Sequence, residues 1–413
     1  DNPYLPTDAD CQLDFTQILW DAASSLTTQL SGTPVRNVYM GLDSAGWSRH
    51  RIEEVGSDPL ILATFKTLLD QPTLPTDLEA QEIVNFVRNI FDNPMALDPA
   101  PQDPPRPADY SVLGEFYHSQ PESVTPPSTS LYYYDYGFVG PNEVGAHNYQ
   151  LFMDKHARRR RVFIAGANDG MLHAVDAGFW DRDDGGVYDD TLDMGTGTEL
   201  FAYVPQSIMS KLWLMTYGTE QQYLVDGPTE VGDVFISPDG GVSAREWRTV
   251  VLSNMRRGGR GMVALDVTQP DPTSGSPDYT PTYTPMPGCT TATGDCSAEY
   301  PRVMWEFSDT ADLDGNSEPD LGWTWSRPAI ARIPVYNGSD PNAPDDLFVA
   351  FFGGGWDKLE MDSTGTHVYG VDIATGNIVY KEPIGVSVPG GFTVLDANLD
   401  GFHDKIYFGD SDG

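Results

Sequence analysis

Several things are scarce in this 413-residue chain, and each shortage removes a class of protein. No apolar run reaches the ~18 residues that a membrane-spanning helix needs. The opening DNPYLPTDADC lacks the basic and apolar stretches of a secretion signal, and it lacks an initiator Met; the expectation is a processed or internal piece of a longer protein. Basic residues are few, 24 against 61 acidic, for a formal net charge of -37. Such a chain repels phosphate backbones, which argues against nucleic acid as a partner. Its carboxylates need counterions, for which calcium outside the cell is a natural choice, although part of the excess can serve solubility alone. Cysteines number only three, with no CxxCH for covalent haem and no CxxC pair for a zinc ribbon. The seven histidines form no HExxH, and no G-x-S-x-G is present. The run Gly353, Gly354, Gly355 lies between β-type segments rather than before a Lys-Ser/Thr helix, so it is no phosphate cradle. No nucleophile–base pair can be assembled, and the expectation is a non-catalytic protein.

What is abundant is turn chemistry. Glycine (41) and proline (33) favour short strands over long helices, while 39% hydrophobic residues leave enough for a sizeable core. The first 108 residues read as a small helical or mixed segment. Helical spacing is present over 10–30, 58–70 and 78–92, and RNVYMGL (36–42) reads as a strand. The proline-rich stretch 92–109 cannot continue a helix and is expected to act as a stiff linker, with a domain boundary there. Beyond it a weak repeat appears. RVFIAGANDGMLHAVDAG (161–178), RTVVLSNMRRGGRGMVALDVTQ (248–269) and the longer 347–380 share one form: a strand, a Gly-rich turn, a second strand, then Asp. KIYFGDSDG (405–413) is the first half of another copy. Each copy reads as a hairpin, and hairpins recurring at this interval fit propeller blades. At ~40–50 residues per blade, 109–413 would hold roughly six, the last incomplete. An ordinary β-sandwich is the alternative, but it gives no reason for the recurring Asp.

The sharpest chemical motif is DANLDGFHD (396–404). Asp396, Asn398, Asp400 and Asp404 take positions 1, 3, 5 and 9 of a calcium loop, Phe402 would offer its carbonyl at position 7, and Gly401 sits at the sharp turn. Tyr407 stands at position 12 instead of a bidentate Glu, so the loop feeds a strand rather than a helix. Without a cation, carboxylates ~4 Å apart repel by ~4 kcal/mol per pair at an effective dielectric of 20. DLDGNSEPD (312–320) places Asp312, Asp314, Asn316, Glu318 and Asp320 in a comparable pattern, with its Gly at position 4; it is a possible second calcium site or an exposed acidic loop. Cys289 and Cys296 flank a small turn-rich insert and are expected to form a disulfide, with a reduced pair as the alternative. Cys11 is left over. The basic run 155–161 is either a docking patch or, more simply, is paired internally with acidic loops such as 181–190. The aromatic stretch 131–138 reads as a strand or a sticky surface. WTWSRP (323–328) is expected to pack between blades.

Taken in order, these landmarks resemble the PilY-type proteins of type IV pilus biogenesis, which act as pilus-tip adhesins. The match is carried by RVFIAGANDGMLHAVDAG with GTELFAYVP (197–205), and by YSVLGEFYHSQP (110–121) and YLVDGPTEVGDV (223–234). WRTVVLSNMRRGGRGMVALDVTQP (247–270), LGWTWSRPAIARI (321–333) and VLDANLDGFHDKIYFGDSDG (394–413) complete it. The resemblance covers about 75–413. It implies a mainly β, quinoprotein-like propeller, seven-bladed in the family and here incomplete at its C-terminal end, preceded by a small helical segment. It further implies secretion through the periplasm and outer membrane to the pilus tip, minor pilins as partners, and adhesion to host or abiotic surfaces. Calcium at Asp396, Asn398, Asp400, Phe402 and Asp404 would tune the balance of pilus extension and retraction. No von Willebrand-like module of the family is read within these 413 residues, and no Arg-Gly-Asp occurs in them. A quinoprotein-like dehydrogenase, or a structural subunit of another surface filament, are the rival readings.

Overall fold

The computed structural model describes residues 20–30, 36–43, 46–88, 112–128, 149–157, 159–178, 195–218, 222–237, 245–269, 300–311, 319–335, 345–356 and 364–412. The expected linker 92–109, the aromatic stretch 131–138, the acidic loop 181–190, all three cysteines and Asp312, Asp314, Asn316 and Glu318 lie outside the described residues.

The N-terminal helices are α1 (Ala22–Leu30), α2 (Pro59–Leu68) and α3 (Asp77–Val87). Local chemistry sets their starts. The Asp58 carboxylate accepts from the Leu60 amide at 2.8 Å with Pro59 at the first helical position. Thr76 and Glu79 form a reciprocal capping box, with the Thr76 amide donating to Glu79 at 2.7 Å. Between α1 and α2 run β1 (Val38–Asp43) and β2 (Trp47–Arg51), an antiparallel hairpin.

The rest is mainly β. The first meander comprises β3 (Glu122–Val124), β4 (Val162–Gly166), β5 (Leu172–Asp176) and β6 (Glu199–Val204). The second comprises β7 (Thr229–Ile236), β8 (Glu246–Asn254), β9 (Met262–Asp266) and β10 (Arg302–Phe307). The third comprises β11 (Ala329–Val335), β12 (Asp345–Gly353), β13 (His367–Asp372) and β14 (Ile378–Pro383). A two-stranded sheet, β15 (Thr393–Leu395) with β16 (Lys405–Tyr407), follows. Neighbouring strands within each meander are antiparallel. Two shorter helices, α4 (Tyr149–Lys155) and α5 (Met209–Tyr217), interrupt the sequence of strands.

The first strands of successive sheets lie against one another: β3 against β7, β7 against β11, β11 against β15. Each core sits between two neighbouring sheets. Val234, Leu252 and Trp305 of the second pack on Phe348, Phe352 and Tyr369 of the third. Ala331, Val349 and Val368 of the third pack with Val388 and Phe392 on the approach to β15. This is the face-to-face layering of propeller blades. Burying each large apolar side chain there stabilises by roughly 1.5–3 kcal/mol.

The sequence suggests about six blades; the described residues form a six-stranded sheet, built on the first four-stranded meander, two four-stranded sheets and a two-stranded sheet. The estimate assumed minimal blades. Here long connections separate β3 from β4, β5 from β6 and β9 from β10, so each of the first two meanders spans about twice the length of a minimal blade. No sheet closes on itself among the described residues.

β1 pairs in parallel with β6, so the N-terminal hairpin extends the first sheet at its outer edge. Val55, Phe65, Ile83 and Val84 from the helical segment share one core with Tyr203, Leu265 and Val303.

Candidate functional site

The recurring Asp of the sequence repeat ends the third strand of each meander. The Asp176 carboxylate accepts from the Gly178 amide at 3.1 Å and the Thr196 hydroxyl at 2.7 Å. Asp266 accepts from the Thr268 amide at 2.9 Å. Asp372 accepts from the Ala374 amide at 2.9 Å and the Thr375 hydroxyl at 2.7 Å. Each therefore closes an Asx-type turn that redirects the chain toward the fourth strand. The repeat is a structural device rather than a metal pattern.

The Gly-rich turns have a second cause. A Cβ on Gly258 would stand 1.3 Å from the Leu224 carbonyl oxygen, and one on Gly353 would stand 2.1 Å from that of Val388. Gly258 touches the segment that enters its own sheet ahead of β7, and Gly353 touches the segment that leads to β15 of the next; at both points only glycine leaves room. Ser326 of the WTWSRP stretch does lie between sheets: it donates to the Gly390 carbonyl at 2.7 Å and accepts from the Gly353 amide at 3.0 Å.

The 396–404 loop joins β15 to β16. Asp396 is buried beneath it and accepts from the amides of Leu399 (2.6 Å), Asp400 (3.3 Å) and Gly401 (2.8 Å). Asn398 accepts from the Asp400 amide at 2.9 Å, Asp400 from that of Phe402 at 2.9 Å, and Asp404 from that of Ala397 at 2.9 Å. Leu399 (φ 63°) and Gly401 (φ 88°) take the left-handed conformation that lets the chain wrap inward. Arg332 of β11 braces the outside. Its amide donates to His403 Nδ1 at 3.0 Å, and its guanidinium lies 4.2 Å over the Phe402 ring and pairs with Asp346 at 2.7 Å. Burial pulls His403 below its ordinary pKa.

The loop's donors are all oxygens, as calcium requires, and a carboxylate offers about four acceptor directions, so those not used by backbone amides remain for an ion. In this structure the side-chain oxygens of Asp396, Asn398, Asp400 and Asp404 accept hydrogen bonds from the loop's own amides. Among the described residues, no three His, Cys, Asp or Glu side chains are grouped for a metal.

Asp320, the one described member of the second acidic loop, is buried and bound by Lys381 at 2.7 Å; Lys381 also holds Asp309 at 2.5 Å. An ion at Asp320 would have to displace that ammonium. The basic run is turned inward. Buried Arg159 donates to Thr249 at 2.6 Å and to the Thr125 carbonyl, and Arg160 pairs with Asp176 at 2.7 Å. Burial and the neighbouring cations push His156 well below its ordinary value.

Sequence reasoning did not find a buried chain of charges under the first sheet. Glu199 receives two hydrogen bonds from Arg36, at 2.7 and 2.9 Å. His173 bridges Glu199 (2.7 Å) and Asp169 (3.0 Å). Burial alone would pull His173 down, but Asp169 and Glu199 outweigh it and lift it to about 9. Burial would raise Glu199, yet Arg36 and His173 hold it at about 2. The alternating pattern of β5 could place His173 inside, but nothing local names partners so far away in sequence. A cleft of about 810 Å³ lies between the first three sheets, lined by Asp43, Trp47, Ser207, Glu306 and Ile378. Burial pushes the Glu306 carboxyl up to about 7, against hydrogen bonds from the Tyr203 hydroxyl and the Gln206 amide.

Stacked antiparallel meanders, joined by Gly-tight contacts and Asp-closed turns, define a mainly β protein of the propeller type. Residues 124–279 match the family model of the PilY1 beta-propeller domain. The chain is similar to the type IV pilus biogenesis factor PilY1 of Pseudomonas aeruginosa, at 28% identity over 312 residues, 73% of this chain and 20% of that protein. It is also similar to a PilY1 homolog of Xylella fastidiosa, at 32% identity over 243 residues, 57% of this chain and 15% of that protein. The crystal structure of the Pseudomonas aeruginosa PilY1 C-terminal domain aligns at a TM-score of 0.38 and 25% identity, covering 66% of this chain and 43% of that one. Together these matches support a PilY-type protein. The matched region spans about a fifth of the length of its Pseudomonas relatives. No helix among the described residues is long and apolar enough to cross a membrane.

Proposed function

We propose that this chain is the propeller part of a type IV pilus biogenesis factor that acts without catalysis at the pilus tip. The observation that carries this reading is the match of 124–279 to the PilY1 beta-propeller domain, supported by relatives that bear the pilus biogenesis name. In this reading the propeller is secreted, contacts minor pilins, adheres to host or abiotic surfaces, and belongs to a seven-bladed, quinoprotein-like ring. Calcium is held at Asp396, Asn398, Asp400, Asp404 and the Phe402 carbonyl, and its occupancy biases extension against retraction. Support comes from the inward wrap of the loop around buried Asp396 and from its all-oxygen donor set. The ion would replace repulsion among exposed carboxylates with cohesion at the start of the β15–β16 sheet.

Two measurements test the two halves separately. A strain lacking the gene should lose surface pili and regain them on complementation; normal piliation in the deletion strain rejects the pilus role. In calorimetry, Asp400→Ala should weaken calcium binding at least tenfold while leaving the fold intact, because Asp400 is exposed. Equal calcium binding by the variant and the parent protein rejects the loop as the site.

A further inference from the structure

In a chain this acidic, arginines are expected to meet carboxylates, and Arg36, Arg160, Arg248, Arg327 and Arg332 do so. Arg256 and Arg257, in the turn between β8 and β9, are different. Neither has an ion pair with a carboxylate among the described residues. Both are placed over aromatic rings. The Arg256 guanidinium carbon lies 4.1 Å from the Trp325 ring centre, and that of Arg257 lies 5.4 Å from Tyr223 and 5.8 Å from Trp325. The rings continue on both sides, with Tyr117 at 6.2 Å from Tyr223 and Trp356 at 5.8 Å from Trp325.

Three further facts separate this strip from a packing contact. Arg256 takes φ 50°, a left-handed conformation that a β-carbon disfavours and that persists only when the surroundings impose it. Arg256 Nε and Trp325 Nε1 are buried without a hydrogen-bond partner. The acid that acts electrostatically on Arg256, Asp226, is buried and already bound by His118 at 2.6 Å. Burial consequently pulls Arg256 below its ordinary pKa. The strip is also assembled from the segments entering β3, β7 and β11 together with the β8–β9 turn, so three sheets contribute to it. Tyr117 is 62% exposed at one end, and Arg257 is open to solvent.

We propose that Arg256 and Arg257, interleaved with Tyr223, Trp325 and Tyr117, form a binding strip for a carboxylate-bearing polysaccharide of the hexuronate type. A guanidinium pairs with a carboxylate through two parallel hydrogen bonds, which an ammonium cannot reproduce. The aromatic faces receive the apolar C–H face of a sugar ring. A flat row of rings with guanidiniums between them suits a ribbon of acidic sugars better than an acidic peptide, which would need backbone partners that a side-chain strip does not supply. The site uses none of the 396–404 loop and stands whether or not that loop binds calcium.

The test is the affinity of the purified chain for oligogalacturonate, for its methyl ester and for polyglutamate, each with and without a calcium chelator. Oligogalacturonate should bind in chelator, weaken with added salt, and lose at least tenfold in affinity in Arg257→Gln, an exposed position that leaves folding undisturbed. Arg256→Lys should lose a similar factor, since it keeps the charge but not the fork. Absence of binding, equal binding of the methyl ester, binding that vanishes in chelator, or tighter binding of polyglutamate each overturns the proposal.

Discussion

Glu199→Gln tests how the buried charges hold the N-terminal segment to the first sheet. The side chains of Arg36, Glu199 and His173 are 1%, 3% and 1% exposed. Glutamine keeps one acceptor but turns an N–H₂ toward donors that formerly met oxygen. Arg36 keeps its bond to the Val87 carbonyl at 3.1 Å, and His173 keeps Asp169. Breaking a buried ion pair in this way costs about 3–5 kcal/mol. The assay is urea unfolding followed by tryptophan fluorescence, with the midpoint shifting and the slope unchanged. Protonation adds a second signature. His173 is lifted from 6.5 to about 9, so the folded state holds its proton more tightly than the unfolded chain. That contribution is complete below pH 6.5 and is lost as pH rises to about 9, a change on the order of 3 kcal/mol. Glu199 is lowered from 4.5 to about 2, so its contribution is complete above pH 4.5 and disappears as pH falls toward 2. His173→Gln should therefore flatten the alkaline decline. A loss below about 1 kcal/mol in Glu199→Gln, or an unchanged alkaline slope in His173→Gln, would refute the assignment of this network as the clamp.

Other substitutions separate the remaining devices. Gly258→Ala places a methyl against the Leu224 carbonyl and should cost about 3 kcal/mol or more, read by the same unfolding curve. Asp266→Ala removes both a turn closure and the 3.1 Å partner of buried Arg248; it should cost about 2–3 kcal/mol, against about 1 kcal/mol for Asp372→Ala, which loses turn closure alone. Lys381→Met releases Asp320, so calorimetry should show one additional calcium ion if 312–320 is a site, and an unchanged stoichiometry removes that loop from consideration.

The hairpins of the propeller region were legible because their signal is local. β4–β5, β8–β9 and β12–β13 each combine alternating apolar residues, a Gly-rich turn and a closing Asp within a short stretch. The strand AIARIP was legible as β11, whereas the short or edge strands β3 and β10 were not, since they owe their form to a neighbour rather than to their own pattern. The same holds for β2: WSRHR has no apolar alternation, and it is a strand because β1 pairs with it while β1 is held by β6. The helix α5, MSKLWLMTY, is too short for its period to stand out. At the candidate loop the order of Asp396, Asn398, Asp400, Gly401 and Asp404 was readable, and so was the need for a tight wrap. The brace from Arg332 was not, because its partner lies on a different sheet.

The parallel pairing of β1 with β6 carries a consequence for how the chain holds together. An outer blade edge exposes a row of unpaired amides and carbonyls, and that edge is normally blunted or covered. On the first sheet the hairpin β1–β2 covers it, and β2 also lies against β10, the outer strand of the second sheet. One short segment therefore protects two edges, fixed in place by Arg36 immediately before it and by the core that α2 and α3 share with Tyr203 and Val303. The clamp at Glu199 is then a condition for edge protection. Weakening it should raise the tendency of the propeller sheets to associate before it alters their internal packing. Light scattering of Glu199→Gln at a urea concentration below its unfolding transition reads this directly. Aggregation that begins only together with global loss of tryptophan signal would show that the hairpin protects nothing on its own.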